Sequence, residues 1–246
     1  MIGCGRLPIT LKDGHFSSFV KGLCTNRIWG GGLTNSSGGT VDLIGDTFSN
    51  NTADYGGAIY SGNISVPGSI TNLTNSTVSG NTGNYEGGGI YVLNGSVYII
   101  NSTLSGNGSP SGGALKKYSP GIIVQFKNTI AANSTTGANC AGSVLNGGGN
   151  LQYGGTNPTS CHIGIPVGDP KLAALANNGG PTQTMALAPG SAAIDTGDDT
   201  ICAAAPVNNR DQRSVTRPQG AHCDIGAYEY GGFVPTNFLY LPLILR

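Results

Sequence analysis

Short alternations of aliphatic and polar residues recur through the first half of the chain. Val41 and Leu43 precede Thr47 and Phe48; Ile70 and Leu73 precede Val78; Val97 and Ile99 precede Leu104; Ile122, Val124 and Phe126 precede Ile130. Each group is bounded by Gly and Asn, and none sustains a helical period. Strands this short, closed by residues that tolerate a positive φ, predict the coils of a β-solenoid with tight corners.

Two markers set the repeat. The first is Gly-Gly-(Gly/Ala)-(Ile/Leu), at Gly30-Gly31-Gly32-Leu33, Gly56-Gly57-Ala58-Ile59, Gly87-Gly88-Gly89-Ile90 and Gly112-Gly113-Ala114-Leu115. The second is Thr-apolar-small-x-Asn, starting at Thr47, Thr77, Thr103 and Thr129, so it recurs after 30, 26 and 26 residues. Periods of about 20–50 residues signal stacked supersecondary units. A propeller blade needs four strands in about 40–45 residues, and unrelated hairpins of a sandwich would not keep such a register. The expected fold is therefore all-β: a right-handed parallel β-helix with a thin aliphatic core, followed by a loop-rich C-terminal capping module. Asn51, Asn81, Asn107 and Asn133 close the second marker. They are candidates for a side-chain ladder, each amide serving the coils above and below; four ordinary asparagine turns are the plainer alternative.

Composition narrows the class further. Glycine fills 42 of 246 positions, against a usual ~7%, and only 10% of residues are charged. Twelve Lys+Arg balance twelve Asp+Glu, so no basic field exists to gather nucleic acid or an acidic membrane surface. A 38% hydrophobic chain with zero net charge is not disordered, and glycine shows no collagen triplet. No apolar run reaches the ~18 residues of a membrane helix. The first residues also lack the apolar stretch of a signal peptide.

The cysteines nevertheless suggest export. Cys4, Cys24, Cys140, Cys161, Cys202 and Cys223 form no Cys-x-x-Cys pair, and successive pairs are 20, 21 and 21 apart. Sequential pairing is one of fifteen connectivities. Loops of that size suit crosslinks worth ~3 kcal/mol each. A metal site would need clustered Cys and His, which His15, His162 and His222 do not offer. An oxidising compartment in turn implies a leader already removed or a fragment of a longer reading frame.

From Asn139 the period fades and proline rises. In order come Asp169-Pro170-Lys171-Leu172, Asn177-Asn178-Gly179-Gly180-Pro181-Thr182-Gln183-Thr184, Ala188-Pro189-Gly190-Ser191-Ala192-Ala193-Ile194-Asp195-Thr196-Gly197, Arg210-Asp211-Gln212-Arg213, Arg217-Pro218-Gln219-Gly220 and Cys223-Asp224-Ile225-Gly226-Ala227-Tyr228-Glu229. This string resembles the terminal module of choice-of-anchor Q domain proteins of bacterial surfaces. The preceding Gly-Gly-Ala-Ile-Tyr repeats resemble polymorphic outer-membrane protein repeats. The resemblance implies an exported, surface-attached or released protein, mostly without an assigned reaction. It divides the chain into an N-terminal cap or truncated coil (1–29), β-helix repeats (30–138), a choice-of-anchor-like module (139–230) and an apolar tail (231–246).

Catalytic chemistry has few candidates. Many parallel β-helices degrade polysaccharides, which asks for clustered carboxylates with an Arg or Lys base. The repeats hold only Asp42, Asp46, Asp54 and Glu86 as acids, with Lys116, Lys117 and Lys127. Asp42 and Asp46 share a coil, as two turn acids also would. In the C-terminal module Arg210, Asp211, Arg213 and Asp224 read as structural forks pinning loops. Asp195, Asp198 and Asp199 form a weak Ca²⁺ candidate without EF-hand spacing; otherwise no cofactor is expected. Elbow, zincin and phosphate-loop motifs are missing. His162 and His222, each beside a cysteine, read as spacers. Tyr60 and Tyr91 follow the same marker and should stack on one face, as a packing ladder or a sugar platform; Tyr98 lies in a repeat strand too.

The leading expectation is a non-enzymatic structural or adhesive protein of the cell surface or extracellular space, with itself or surface glycans as partner. A carbohydrate-active lyase or hydrolase is the rival, and a passive glycan-binding module the third reading. The tail carries Phe238, Leu239, Tyr240, Leu241, Leu243, Ile244 and Leu245, too short to span a bilayer as a helix and too apolar to idle in water. It reads as an anchoring signal, a strand folded back on the solenoid, or a strand donated to a neighbour to build fibres.

Overall fold

The computed structural model of the chain describes residues 9–17, 29–158 and 160–232. It is a parallel β-solenoid with three long stacked sheets, a short parallel pair at one corner (Thr52–Tyr55 and Thr82–Glu86) and a separate antiparallel pair (Leu172–Ala176 and Thr184–Leu187). Sheet one holds Leu33–Asn35, Ile59–Gly62, Ile90–Asn94, Leu115–Lys117 and Cys140–Ala141. Sheet two holds Ile9–Lys12, Thr40–Ile44, Ile70–Thr74, Ser96–Ile100, Ile123–Lys127 and Leu145–Asn146. Sheet three holds His15–Ser17, Thr47–Ser49, Thr77–Ser79, Thr103–Ser105, Ile130–Ala132 and Leu151–Tyr153. Parallel ladders thus run past both expected limits of the repeats, into residues 9–17 and on to Tyr153. The late coils escape a sequence reading because Cys140–Ala141 and Leu145–Asn146 offer only two ladder residues each.

Period-two alternation places one row of each strand inside. Leu33, Ile59, Ile90, Leu115 and Cys140 stack in register on sheet one; Leu43, Leu73, Ile99 and Phe126 do so on sheet two; Phe48, Val78, Leu104 and Ala131 on sheet three. All are essentially inaccessible to solvent. Each large aliphatic member contributes about 1.5–3 kcal/mol by burial, so the thin core is repaid coil by coil.

The Gly-Gly marker is a corner with two separate demands. Gly56 and Gly87 sit at φ 65°, where L side chains are strained. A Cβ on the next residue, Gly57, would press into the carbonyls of Gly88 and Thr82 in the following coil. The first glycine therefore serves the turn and the second serves coil-to-coil approach.

Asparagine ladders fill another corner. Asn81 Oδ1 accepts from both the Asn51 backbone N–H and Asn51 Nδ2 at 3.0 Å, and Asn107 Oδ1 receives the Asn81 pair at 3.0 and 2.9 Å. Asn133 is not the next rung. Ile130, not Thr129, pairs with Thr103, so the fourth coil is displaced by one residue. Asn133 then takes the positive-φ place of Gly106 (φ 55° against 69°) and is exposed. Ser134 stands at the ladder position, and Asn139 Oδ1 accepts its N–H at 3.2 Å.

The region after Tyr153 does two jobs. A loop over 161–165 packs on the last coils of the core. Gln152 holds it, donating from Nε2 to the His162 and Ile165 carbonyls (2.7 and 2.8 Å) and accepting from Cys161 N–H (3.1 Å). The Cys140–Cys161 disulfide joins it, while Val144 and Ile165 complete the core. Residues 182–227 instead lie along the outer face of sheet three. Gln212 Oε1 accepts from Thr77 Oγ1 (2.6 Å), and its Nε2 donates to Thr47 and Thr182 Oγ1 (2.9 Å each). Ala227 N–H donates to Thr103 Oγ1 (3.0 Å) and Gly226 N–H to Asn128 O (2.9 Å). Thr47–Ser49, Thr77–Ser79 and Thr103–Ser105 are accordingly buried on both faces.

Candidate functional site: an outer groove on sheet two

With sheet three covered, and the outward Tyr60 and Tyr91 of sheet one buried under further rings, sheet two keeps the open outer face. On sheet two the outward residues Asp42, Asn72, Tyr98 and Gln125 align in register, one per coil. Beside them runs the row Ile44, Thr74, Ile100 and Lys127. Together with Pro206 from the C-terminal region they line a groove of about 480 Å³. Strand alternation makes this face: Val41 and Leu43 point inward and are fully buried, while Asp42 and Ile44, alternating with them, point out and are half-buried. Asp42 Oδ1 accepts from Asn72 Nδ2 at 2.7 Å, which orients the carboxylate. Among the described residues, the side-chain polar atoms of Tyr98, Gln125 and Lys127 engage no partner. A larger hollow of about 540 Å³ lies where sheets one and two meet, but Ile64, Ile70, Leu93, Tyr118, Ile122 and Ile123 make it chiefly apolar.

Sheet one presents aromatic rings. Tyr60 and Tyr91 stack at 5.6 Å and 13°, both nearly buried, as their shared marker predicted. Over them lies a second layer: Trp29 stacked on Tyr55 at 4.9 Å and 19°, then Tyr85 tilted at 5.6 Å. Most of these faces are used on one another, which favours packing over a sugar platform. Burial pushes the Tyr60 hydroxyl up to about 12 and the Tyr91 hydroxyl higher still.

The remaining acids of the repeats do not converge. Asp46 is sealed inside a corner, Oδ1 accepting from Gly14 N–H at 2.6 Å; burial raises its carboxyl to about 6. Asp54 accepts from Asn84 Nδ2 (3.0 Å), Glu86 pairs with Lys116 (3.3 Å), and Lys117 donates to Ser143 O (2.7 Å).

The C-terminal charges form a buried knot. Arg213 Nε donates to Asp211 Oδ2 (2.8 Å), and its guanidinium lies 3.6 Å from the Tyr228 ring centre. Arg217 donates to the Asp224 and Gly226 carbonyls (2.8 Å each) and stands 3.7 Å from Glu229 Oε2. Asp224 accepts the Asp195 and Tyr230 N–H groups. Burial raises the Asp224 carboxyl and pushes Glu229 up to about 7. Arg210, grouped with these by sequence, instead lies exposed and bonds Ser214 O and Thr216 Oγ1.

Asp195, Asp198 and Asp199 are engaged separately. Asp198 caps a helical turn, Asp199–Ala203, through the Thr200 and Ile201 N–H groups. Asp199 meets the His222 ring at 2.7 Å, which lowers the acid and raises the imidazole, and Asp195 Oδ1 accepts from His222 N–H. Among the described residues no three His, Cys, Asp or Glu side chains gather to hold a metal ion. His162 Nδ1 accepts from Gly164 N–H (2.9 Å) within the 161–165 loop.

Among the described residues two disulfides are formed, Cys140–Cys161 and Cys202–Cys223. Cys4, Cys24 and the tail residues Phe238, Leu239, Tyr240, Leu241, Leu243, Ile244 and Leu245 lie outside the described residues. No helix among the described residues is long and apolar enough to cross a membrane. In comparisons with known proteins, no family model, no curated protein and no solved structure matches the chain, so the parallel β-solenoid stands without support for the finer choice-of-anchor resemblance.

Proposed function

We propose that the chain is a structural and adhesive β-solenoid of the cell surface or extracellular space, of the kind that the choice-of-anchor Q resemblance implies. One observation carries the reading: the allocation of its surfaces. Residues 182–227 seal sheet three and aromatic rings cover much of sheet one, leaving the outer groove of sheet two as the long lateral face free for contact. Two disulfides support an oxidising setting. The reading needs no cofactor and names surface glycans ahead of self-association. The ranking rests on the open polar groove of sheet two, one set of side chains per coil. The enzymatic alternative asks for paired acids, whereas the groove gathers Asp42 alone beside Lys127.

The full chain is tested against whole bacterial cells and a polysaccharide panel, scoring retention and release of new reducing or unsaturated ends. Retention without turnover is expected; turnover would replace adhesion by catalysis. Deleting residues 233–246 and comparing elution and electron micrographs addresses fibres. Filaments that vanish with the tail would restore strand donation.

A further inference from the structure

We propose that the groove on sheet two binds one linear glycan of low net charge, laid along the solenoid axis across Asp42, Asn72, Tyr98 and Gln125. The proposal rests on the adhesive reading only in expecting binding without turnover.

The backbone excludes a strand-like peptide as occupant. The four strands that carry this row are each paired on both sides, so no free ladder edge is offered. Recognition falls to side chains, one set per coil. Asp42 is oriented by Asn72, while Tyr98, Gln125 and Lys127 keep their hydrogen-bonding capacity. A ligand dense in hydroxyls can use acceptors and donors alternately along such a row. Ile44 and Ile100 supply an apolar floor for the C–H faces of sugar rings. The Tyr98 ring, unlike Tyr55, Tyr60 and Tyr91, is stacked on no other described ring. Charge decides the class of glycan. Asp42 and Lys127 cancel within the groove, so no net field gathers a polyanion. At ~4.8 Å per strand the row spans about 14 Å, a length that suits a short stretch of polymer rather than one sugar.

The test uses affinity electrophoresis and calorimetry of the full chain with soluble β-1,3-glucan, xylan and mannan, and polygalacturonate as the charged comparison. At least one neutral polymer should be bound, with little change as salt is raised. Tyr98→Ala together with Gln125→Ala should weaken that binding about tenfold or more. Tyr85→Ala, on the other face, should leave it unchanged. Both altered side chains point outward, and unchanged circular dichroism and melting confirm the fold; Tyr98→Phe with Gln125→Glu is the gentler second pair. The proposal falls if no neutral polymer binds, if both pairs of variants bind like the wild type, or if only polygalacturonate binds and salt abolishes it. Retention of the variants on cells would then leave adhesion standing without this groove. New reducing ends would keep the groove and remove the adhesive reading.

Discussion

Asp46→Asn tests how the first corner is held. Asp46 is wholly buried, Oδ1 accepts from Gly14 N–H at 2.6 Å, and Oδ2 has no hydrogen-bond partner among the described residues. Burial therefore raises the carboxyl from 3.8 to about 6. A raised acid binds its proton more tightly folded than unfolded. Its stabilising contribution is fully present below pH 3.8, falls as the pH rises toward 6, and is lost above that. The offset corresponds to about 3 kcal/mol between pH 3.5 and 7.5. For a chain of this size that is roughly 6–12 °C in Tm. The amide keeps the acceptor for Gly14 and removes the charge, at a cost of about 1–3 kcal/mol for a buried N–H₂ left unpaired. Stability at pH 7.5 should thus change little or rise by up to about 2 kcal/mol. The pH slope should shrink. Urea unfolding of both proteins from pH 3.5 to 7.5, followed by circular dichroism, reads the difference directly. Burial also raises Asp224 and Glu229, but they titrate in both proteins and cancel in the comparison. Parallel curves for wild type and variant would refute the account.

Three further outcomes follow from the same geometry. Asn81→Ala removes the acceptor for two Asn51 donors and the donor to Phe48 O, so urea unfolding should show a loss of at least about 3 kcal/mol, whereas Asn133→Ala should cost under about 1 kcal/mol. Gly57→Ala drives a Cβ into the Gly88 carbonyl, and the soluble yield and melting temperature should both drop clearly below those of Gly121→Ala, where the space is open. Peptide mapping without reductant should recover Cys140 linked to Cys161 and Cys202 linked to Cys223; free thiols at these four positions would remove the basis for an oxidising compartment.

The repeat was legible because its constraints are local. A positive-φ corner wants glycine, an inward position wants an aliphatic, and Asn51, Asn81 and Asn107 recur because each satisfies its neighbour. The slip at the fourth coil was not legible. Thr129-Ile130 imitates Thr103-Leu104, and only pairing shows that Ile130 answers Thr103. The side cover was hidden for another reason. Gln212 reaches Thr47 and Thr77 across 165 and 135 residues, a separation on which local periodicity is silent. The groove was half visible: Asp42, Tyr98 and Lys127 stood out as residue types, but Asn72 and Gln125 acquire meaning only once the coils are in register. The disulfides were long-range contacts that spacing could only favour: of the three sequential pairs, Cys140–Cys161 and Cys202–Cys223 are formed, and Cys4 and Cys24 lie outside the described residues.

The cover on sheet three also bears on how long this solenoid can be. In most repeat proteins each unit touches only its neighbours, so units are gained, lost or frayed one at a time. Here the segment 182–227 meets Gly45 and Thr47 in one coil, Thr77 in the next, Thr103 beyond it and Asn128 after that. It acts as a ruler whose marks are already placed. An inserted coil would move every later mark out of reach of its partner, and a deleted one would strand Gln212 or Ala227. The number of coils under the cover is therefore set by the cover, and the stretch unfolds as one cooperative unit rather than winding off from its end.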